Sequence, residues 1–213
     1  MLSLITVIKD EEARLPGMLD WHLPWVDECI VVHDGPCADA SLKIAQERGC
    51  IVIEAPFHGY CEPLRELGLK HSTGDWALFV DADEKFPIEL LTIAREVSRK
   101  AEFDAVMLPR ITQWPDWPDK GAVHDFQTRL LRKATALISP VIHTSPATSG
   151  VTVRFDWAIQ HTNLLADIQE KKDRYRQIIN AQLAQVKVID PRKGWENSPI
   201  AMHLERCLQE MDG

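Results

Sequence analysis

Apolar residues fall into short runs broken at intervals by Gly, Pro and acidic residues, a pattern that predicts strands alternating with helices. Leu2 to Ile8 is apolar and rich in branched side chains, so it predicts a first strand. Lys9, Asp10, Glu11 and Glu12 end that strand ahead of a helix from about Arg14 to His22. Glu28 to His33 predicts a second strand closed by Asp34 and Gly35. The following helix starts at Asp39 or Ser41 and ends at Gly49. Cys50 to Glu54 predicts a third strand, Pro63 to His71 a helix, and Trp76 to Val80, after the breaker Gly74, a fourth strand.

Strands separated by helices of this length imply right-handed crossovers and an α/β fold, Rossmann-like, with a mainly parallel central sheet flanked by helices. Ligands of such sheets bind outside the carboxyl ends of the strands. Those ends carry Lys9 and Asp10, Asp34, Glu54, and Asp81 to Glu84. Acidic side chains from several strands thus converge on one edge, which a set of unrelated surface turns would not explain.

The second half is less regular. Ile88 to Lys100 reads as an amphipathic helix with Ile88, Leu91, Ala94 and Val97 or nearby positions inward, and Ala105 to Ile111 as a strand. Paired Trp and Pro in QWPDWPDKG mark a structured loop before another strand. Val151 to Phe155 and Trp157 to His161 are candidate short strands, Asp167 to Val186 is a long helix, and one more short helix follows Pro191. The expected organisation is one domain over 1–186, with halves 1–100 and 101–186, and a C-terminal helical extension over 187–213.

The most informative stretch is GDWALFVDADEKF, Gly74 to Phe86. A buried strand opens at once into Asp81, Ala82, Asp83 and Glu84, and three carboxylates at one strand end repel unless a cation, a base or water compensates. One reading is a site for Mn²⁺ or Mg²⁺, which prefer oxygen ligands; the other is an acidic turn capping the helix that Pro87 begins.

Composition narrows the partners. A formal charge of −8 argues against nucleic acid or an anionic membrane surface as the main partner. The five cysteines form no CxxC, which fits reduced thiols in the cytoplasm. No apolar run is long enough to span a bilayer, leaving peripheral association at the inner membrane face open.

The chain resembles family 2 glycosyltransferases of the GT-A fold, in particular a small bacterial branch that includes lipopolysaccharide core transferases. The matching pieces are LITVIKDEEARL, VVHDGPCADAS, the spacing from Arg65 to TGDW, the DADE motif, and DFQTRLLRK followed by VIHT, within about residues 2 to 175. The resemblance implies transfer of a sugar, with inversion, from a nucleotide-diphosphate donor to an acceptor hydroxyl. A UDP-sugar is the expected donor, a glycan or lipid-linked molecule the acceptor, and nucleic acid no partner. Residues 1–100 would form the nucleotide-binding half and 101–186 the acceptor and metal half.

The same resemblance implies roles residue by residue. Thr6, Lys9, Glu11, Asp34, Arg65, Asp81 and Ala82 would meet the donor, and Asp83, Asp81 and His143 would hold Mn²⁺ or Mg²⁺. Asp125 would be the base that takes the acceptor proton. Trp114, Trp117, Gln127 and Arg129 would line the acceptor side. Alternatives stay open at several positions: Asp39 as a helix cap, Arg129 as a structural residue, His161 or His124 in place of His143, Glu84 as a cap for the next helix, and the basic turn Lys171, Lys172 and Arg174 as a solvated face.

Asp10 stands where the family usually has Asn, and Thr144 where it has an acid. Two other functions remain. A nucleotidyltransferase would need a glycine-rich, basic loop after the first strand, where this chain has the acidic KDEEARLPG. A catalytically silent scaffold that keeps the fold and binds sugar nucleotides is the third reading.

Overall fold

The computed structural model describes residues 1–100, 102–189 and 198–212. Its centre is a sheet in the order β3-β2-β1-β4-β7-β6-β11-β5. The strands are β1 (Leu2–Ile8), β2 (Glu28–Asp34), β3 (Ile51–Ala55), β4 (Trp76–Phe79), β5 (Glu84–Lys85), β6 (Ala105–Gln113), β7 (Val123–Arg132) and β11 (Ile159–Thr162). β10 (Thr152–Arg154) also pairs with β6, while β8 (Ala136–Leu137) and β9 (Ala147–Thr148) form a small separate ladder. β1 to β4 are mutually parallel; β7 runs antiparallel between β4 and β6, as β5 does beside β11. The expected mainly parallel sheet is therefore present, with β7 and the short β5 as its antiparallel members.

Alternation along the central strands assigns the two faces. Leu4, Val31, Leu78 and Leu130 pack in one core cluster, and Ile5, Ile30, Phe79 and Leu131 in the other. The first cluster is covered by α1 (Leu15–His22), α2 (Ser41–Glu47) and α4 (Ile88–Lys100), the second by α3 (Glu62–His71). Within α4 the inward residues are Leu90, Leu91 and Ala94, whereas Ile88 is exposed, correcting its expected inward placement. The Val97 side chain lies outside the described residues.

α3 lies close on the sheet because of Gly68. A Cβ there would come within 2.4 Å of the Ile5 side chain. That close approach brings Arg65, one turn earlier, under the ends of β1 and β4.

A third apolar cluster joins α5 (Leu165–Ile189) to α6 (Pro199–Asp212), with Ile179, Leu183, Ala201 and Leu204 at its centre and Ile142 from the loop below. The expected C-terminal helices are thus present, the first longer than Asp167 to Val186. The expected turn after Pro191 lies outside the described residues. Among those that are described, no helix is long and apolar enough to cross a membrane.

Candidate active site

The strand order reverses direction between β1 and β4, and a parallel sheet opens a crevice at such a point. β4 ends at Phe79, and Val80 leads into the acidic turn, which is closed by a hydrogen bond from the Glu84 N–H to the Asp81 carbonyl (3.0 Å). β5 then holds the turn against the sheet by pairing Glu84 opposite His161.

The turn separates its carboxylates by function. Arg129 Nη2 donates to Asp81 Oδ2 at 2.6 Å and also to Glu84, while Arg65 Nη2 reaches Asp81 at 3.4 Å. Burial pushes the Asp81 carboxyl up, but Arg129 and then Arg65 outweigh it and hold the group well below the usual carboxylate range. Burial also raises Glu84, and here Arg129 only partly opposes it. Glu84 is not a surface cap: its side chain is buried, and Arg110 Nη1 approaches it at 3.4 Å.

Arg129 is fully buried, so it reaches Asp81 and Glu84 from beneath the cleft. Its position follows from a bulge. β7 pairs Leu130 with Val106 and Thr128 with Met107, leaving Arg129 as the extra residue, and such a bulge re-aims a side chain. Its Nε and Nη1 have no partner among the described residues.

Asp83 alone in the turn faces another chemistry. Its Oδ2 lies 3.2 Å from His161 Nε2, and the other ring nitrogen of His161 lies 2.8 Å from Thr112 Oγ1, which fixes the ring. A carboxylate oxygen suits Mn²⁺ or Mg²⁺ and an oriented imidazole suits Mn²⁺ better than Mg²⁺, whereas Asp81 is held by two guanidiniums. His143 has its own set of contacts, next to Thr144, whose carbonyl accepts from Arg65 Nη1 at 3.4 Å. Its backbone has φ +62°, its N–H donates to Glu62 Oε1 at 2.7 Å, and its ring packs edge-on against Tyr175, 5.2 Å between centroids.

The β6–β7 hairpin forms the opposite wall. Asp125 is gripped by Arg110 through two bonds, Nε to Oδ1 at 3.0 Å and Nη2 to Oδ2 at 2.6 Å, and Gln127 Nε2 donates to it at 2.9 Å. Ser145 Oγ in turn donates to Gln127 Oε1 at 2.6 Å. Burial raises Asp125, but the Arg110 hydrogen bonds and charge outweigh it and leave the group below its ordinary value. Arg110 escaped the sequence reading. The signal was a charged residue inside the apolar strand AVMLPRIT, which needs a buried partner.

At the hairpin tip Trp114 is buried and Trp117 half-exposed, with Lys120 over both rings at 4.5 and 4.7 Å. The two indoles thus differ: the first is buried and pins the loop, and the second stays partly exposed beneath Lys120.

Among the residues expected to meet a donor, Thr6 is buried with its hydroxyl unpartnered among the described residues. Ala82 packs partly buried on the core. Lys9 Nζ donates to the Pro36 carbonyl at 2.6 Å, and Glu11 pairs with Arg14 at 3.0 Å. Asp34 is buried and accepts the His58 and Gly59 N–H groups at 2.6 and 2.8 Å, so it shapes the loop after β3. Asp39 accepts from the Ser41 and Glu12 N–H groups at 2.8 and 2.9 Å, ordering the entry to α2.

Asp10, His33 and Cys37 bring three ligating atoms within 4.8 Å of one another, a group able to hold a metal ion. His33 Nδ1 bonds the Gly35 carbonyl at 2.7 Å, leaving Nε2 as the lone-pair nitrogen, and Nε2 accepts the Asp10 N–H at 3.2 Å. Lys9 Nζ stands 2.8 Å from Asp10, so an ion there would compete with an ammonium as well as an N–H.

A mixed sheet with a crevice at β1 and β4, flanked by helices, is the architecture of the GT-A class of fold. The model of glycosyl transferase family 2 matches residues 3–159, and the chain belongs to that family. A crystal structure of S. aureus TarS 1-349 superposes with a TM-score of 0.55 at 15% identity, covering 99% of this chain and 70% of that one. A second, in complex with UDP-GlcNAc, gives 0.55 at 15% identity, covering 99% and 71%. At such identity the likeness shows the fold.

Among curated proteins, an uncharacterized glycosyltransferase of Rickettsia felis is 34% identical over 89 residues, 42% of this chain and 31% of that protein. A TPR repeat-containing protein of Synechococcus elongatus is 33% identical over 94 residues, 44% of this chain and 23% of that protein. The matched stretch spans less than a third of the length of either relative.

Proposed function

We propose that the protein is an inverting, metal-dependent glycosyltransferase that moves a hexosyl group from a nucleotide-diphosphate donor to an acceptor hydroxyl. The observation that carries this reading is the Asp83–His161 pair beside the crevice at the end of β4. Asp83 and His161 would hold Mn²⁺ or Mg²⁺, which supplies positive charge to the diphosphate as its bond to the sugar breaks. Asp81, fixed by Arg129 and Arg65, faces the donor's ribose side, with Thr6, Lys9 and Glu11 along the first strand end.

Asp125 is the base. In the free protein Arg110 shields it, so acceptor binding has to loosen that pair before the carboxylate can take a proton. Trp117 and Gln127 serve the acceptor side. Arg129, buried beneath the turn, acts by fixing Asp81 and Glu84. Residues 1–186 form the transferase unit, working at the cytoplasmic face of a membrane on a glycan or lipid-linked acceptor, with assembly of a lipopolysaccharide-type surface glycan as its setting. UDP, held by one TarS structure as UDP-GlcNAc, is the first nucleotide to try.

The test is a thermal-shift screen of nucleotide sugars with and without Mn²⁺. A donor that binds only the native chain raises the melting temperature by mass action. The expected result is a shift with one donor class that grows when Mn²⁺ is added. Equal shifts with Mn²⁺ and with chelator would remove the metal from the reading, and no released diphosphate with any donor would favour a silent scaffold.

A further inference from the structure

The long helix α5 does not stand clear of the cleft. Asp167 in its first turn pairs with Arg14, just after the end of β1. Two turns on, the Tyr175 ring packs on His143, and the Arg174 side chain lies against Gly59, where an added Cβ would come within 3.0 Å of it. Gly59 adopts φ +81° in the loop that Asp34 holds. Contacts from loops after β1 and β3 and from the 139–143 loop therefore fall on one face of α5.

Helix geometry then places Lys171. Residues four apart lie one above the other on the same face, so Lys171 sits midway between Asp167 and Tyr175, both of which touch the strand-end loops. Its side chain is partly buried, unlike the exposed Lys172 beside it. Glu11 lies within electrostatic reach of both Lys171 and Asp83, so the ammonium and the Asp83–His161 pair share a carboxylate neighbour.

We propose that Lys171 receives the donor's diphosphate, with α5 as the wall of the cleft that closes over it; this rests on the glycosyltransferase reading above. Glu11 adds a second carboxylate within reach of Asp83, so a dianionic diphosphate needs positive charge beyond a single divalent ion. Arg65, Arg110 and Arg129 are already committed to Asp81, Glu84 and Asp125. Lys171 reaches the cleft from outside the strand edge and carries a compact point charge suited to a phosphate oxygen. The basic turn of α5 is then partly a ligand surface and only partly, at Lys172, a solvated one.

The test is calorimetry with the full chain and Mn²⁺. UDP, GDP, CDP and ADP are titrated into the wild type, and the tightest binder and its monophosphate into Lys171→Ala, Lys171→Gln, Lys171→Arg and Lys172→Ala. Neutral variants at 171 should lose about tenfold in diphosphate affinity and less than about twofold for the monophosphate, Arg should restore most of the loss, and Lys172→Ala should bind as wild type. Should Lys171→Ala unfold, Lys171→Gln, which keeps most of the stem, is the variant read. Unchanged diphosphate affinity in folded neutral variants, or equal loss for both nucleotides, overturns the role of Lys171 while leaving the enzyme reading intact. A wild type that binds none of the four diphosphates overturns both.

Discussion

Arg129 and Glu84 meet beneath the cleft with neither side chain open to solvent. Taking two charges out of water is costly, and their attraction repays it only while both are present. Arg129→Leu should therefore destabilise the fold by about 3 to 5 kcal/mol, because Glu84 is left buried without its main partner. The double variant Arg129→Leu with Glu84→Leu should recover much of that loss. Urea unfolding of Arg129→Leu, Glu84→Leu and the double variant measures it, and strictly additive effects would show that the pair is not coupled.

His22 is buried on α1, with Nδ1 bonded to the Met18 carbonyl at 2.7 Å and Nε2 accepting the Phe86 N–H at 3.3 Å. Burial lowers its pKa from 6.5 to about 4, against the opposing Met18 bond. Between those values the unfolded chain takes up a proton that the native ring refuses. Stability from this group is full above pH 6.5 and falls as pH drops toward 4, by about 1.4 kcal/mol per pH unit. An NMR titration should put the His22 midpoint near 4, and a midpoint near 6.5 would contradict this account.

Asp125→Asn keeps the size of the side chain and one acceptor for Arg110 but cannot take a proton. It should bind the donor as the wild type does and lose turnover by about 10² or more. Near-normal transfer would move the base elsewhere.

His161→Ala should weaken Mn²⁺ binding about tenfold, since the ring stands 3.2 Å from Asp83. His143→Ala should leave Mn²⁺ affinity unchanged within about twofold, because that ring packs on Tyr175. Titration of Mn²⁺ followed by electron paramagnetic resonance separates the two, and the reverse order would transfer the ligand role to His143.

Gly68→Val should cost about 1 to 3 kcal/mol, because the added side chain has to displace Ile5. The loss is read as a lower urea midpoint, and an unchanged midpoint would show that α3 can lift from the sheet freely.

The first four strands were legible because each is an unbroken apolar run bounded by turn residues, and a buried parallel strand can hardly look otherwise. β7 was legible as a strand, but its direction was not, since antiparallel insertion between β4 and β6 depends on pairing partners far away in sequence. The acidic turn was visible from its carboxylates. What divides them was not: Glu84 is buried because Arg129, 45 positions later, is turned under it by a bulge that no periodicity announces. His161 ranked behind His143 in the sequence because motif order favoured the earlier residue, whereas pairing of β11 with β5 is what carries His161 to Asp83. Lys171 read as a solvated charge because helix periodicity marks a polar face without saying what that face meets.

The bulge at Arg129 also divides its strand mechanically. One extra residue lets the two halves of β7 keep separate registers: Leu130 and Leu131 stay locked to the core, while Val123 to Thr128 follow β6 toward the tip. A change in length between Thr112 and Val123 can then shift the tip-side register without requiring a shift at Arg129. The hairpin tip and the arginine under the acidic turn thus share one strand while each keeps its own register.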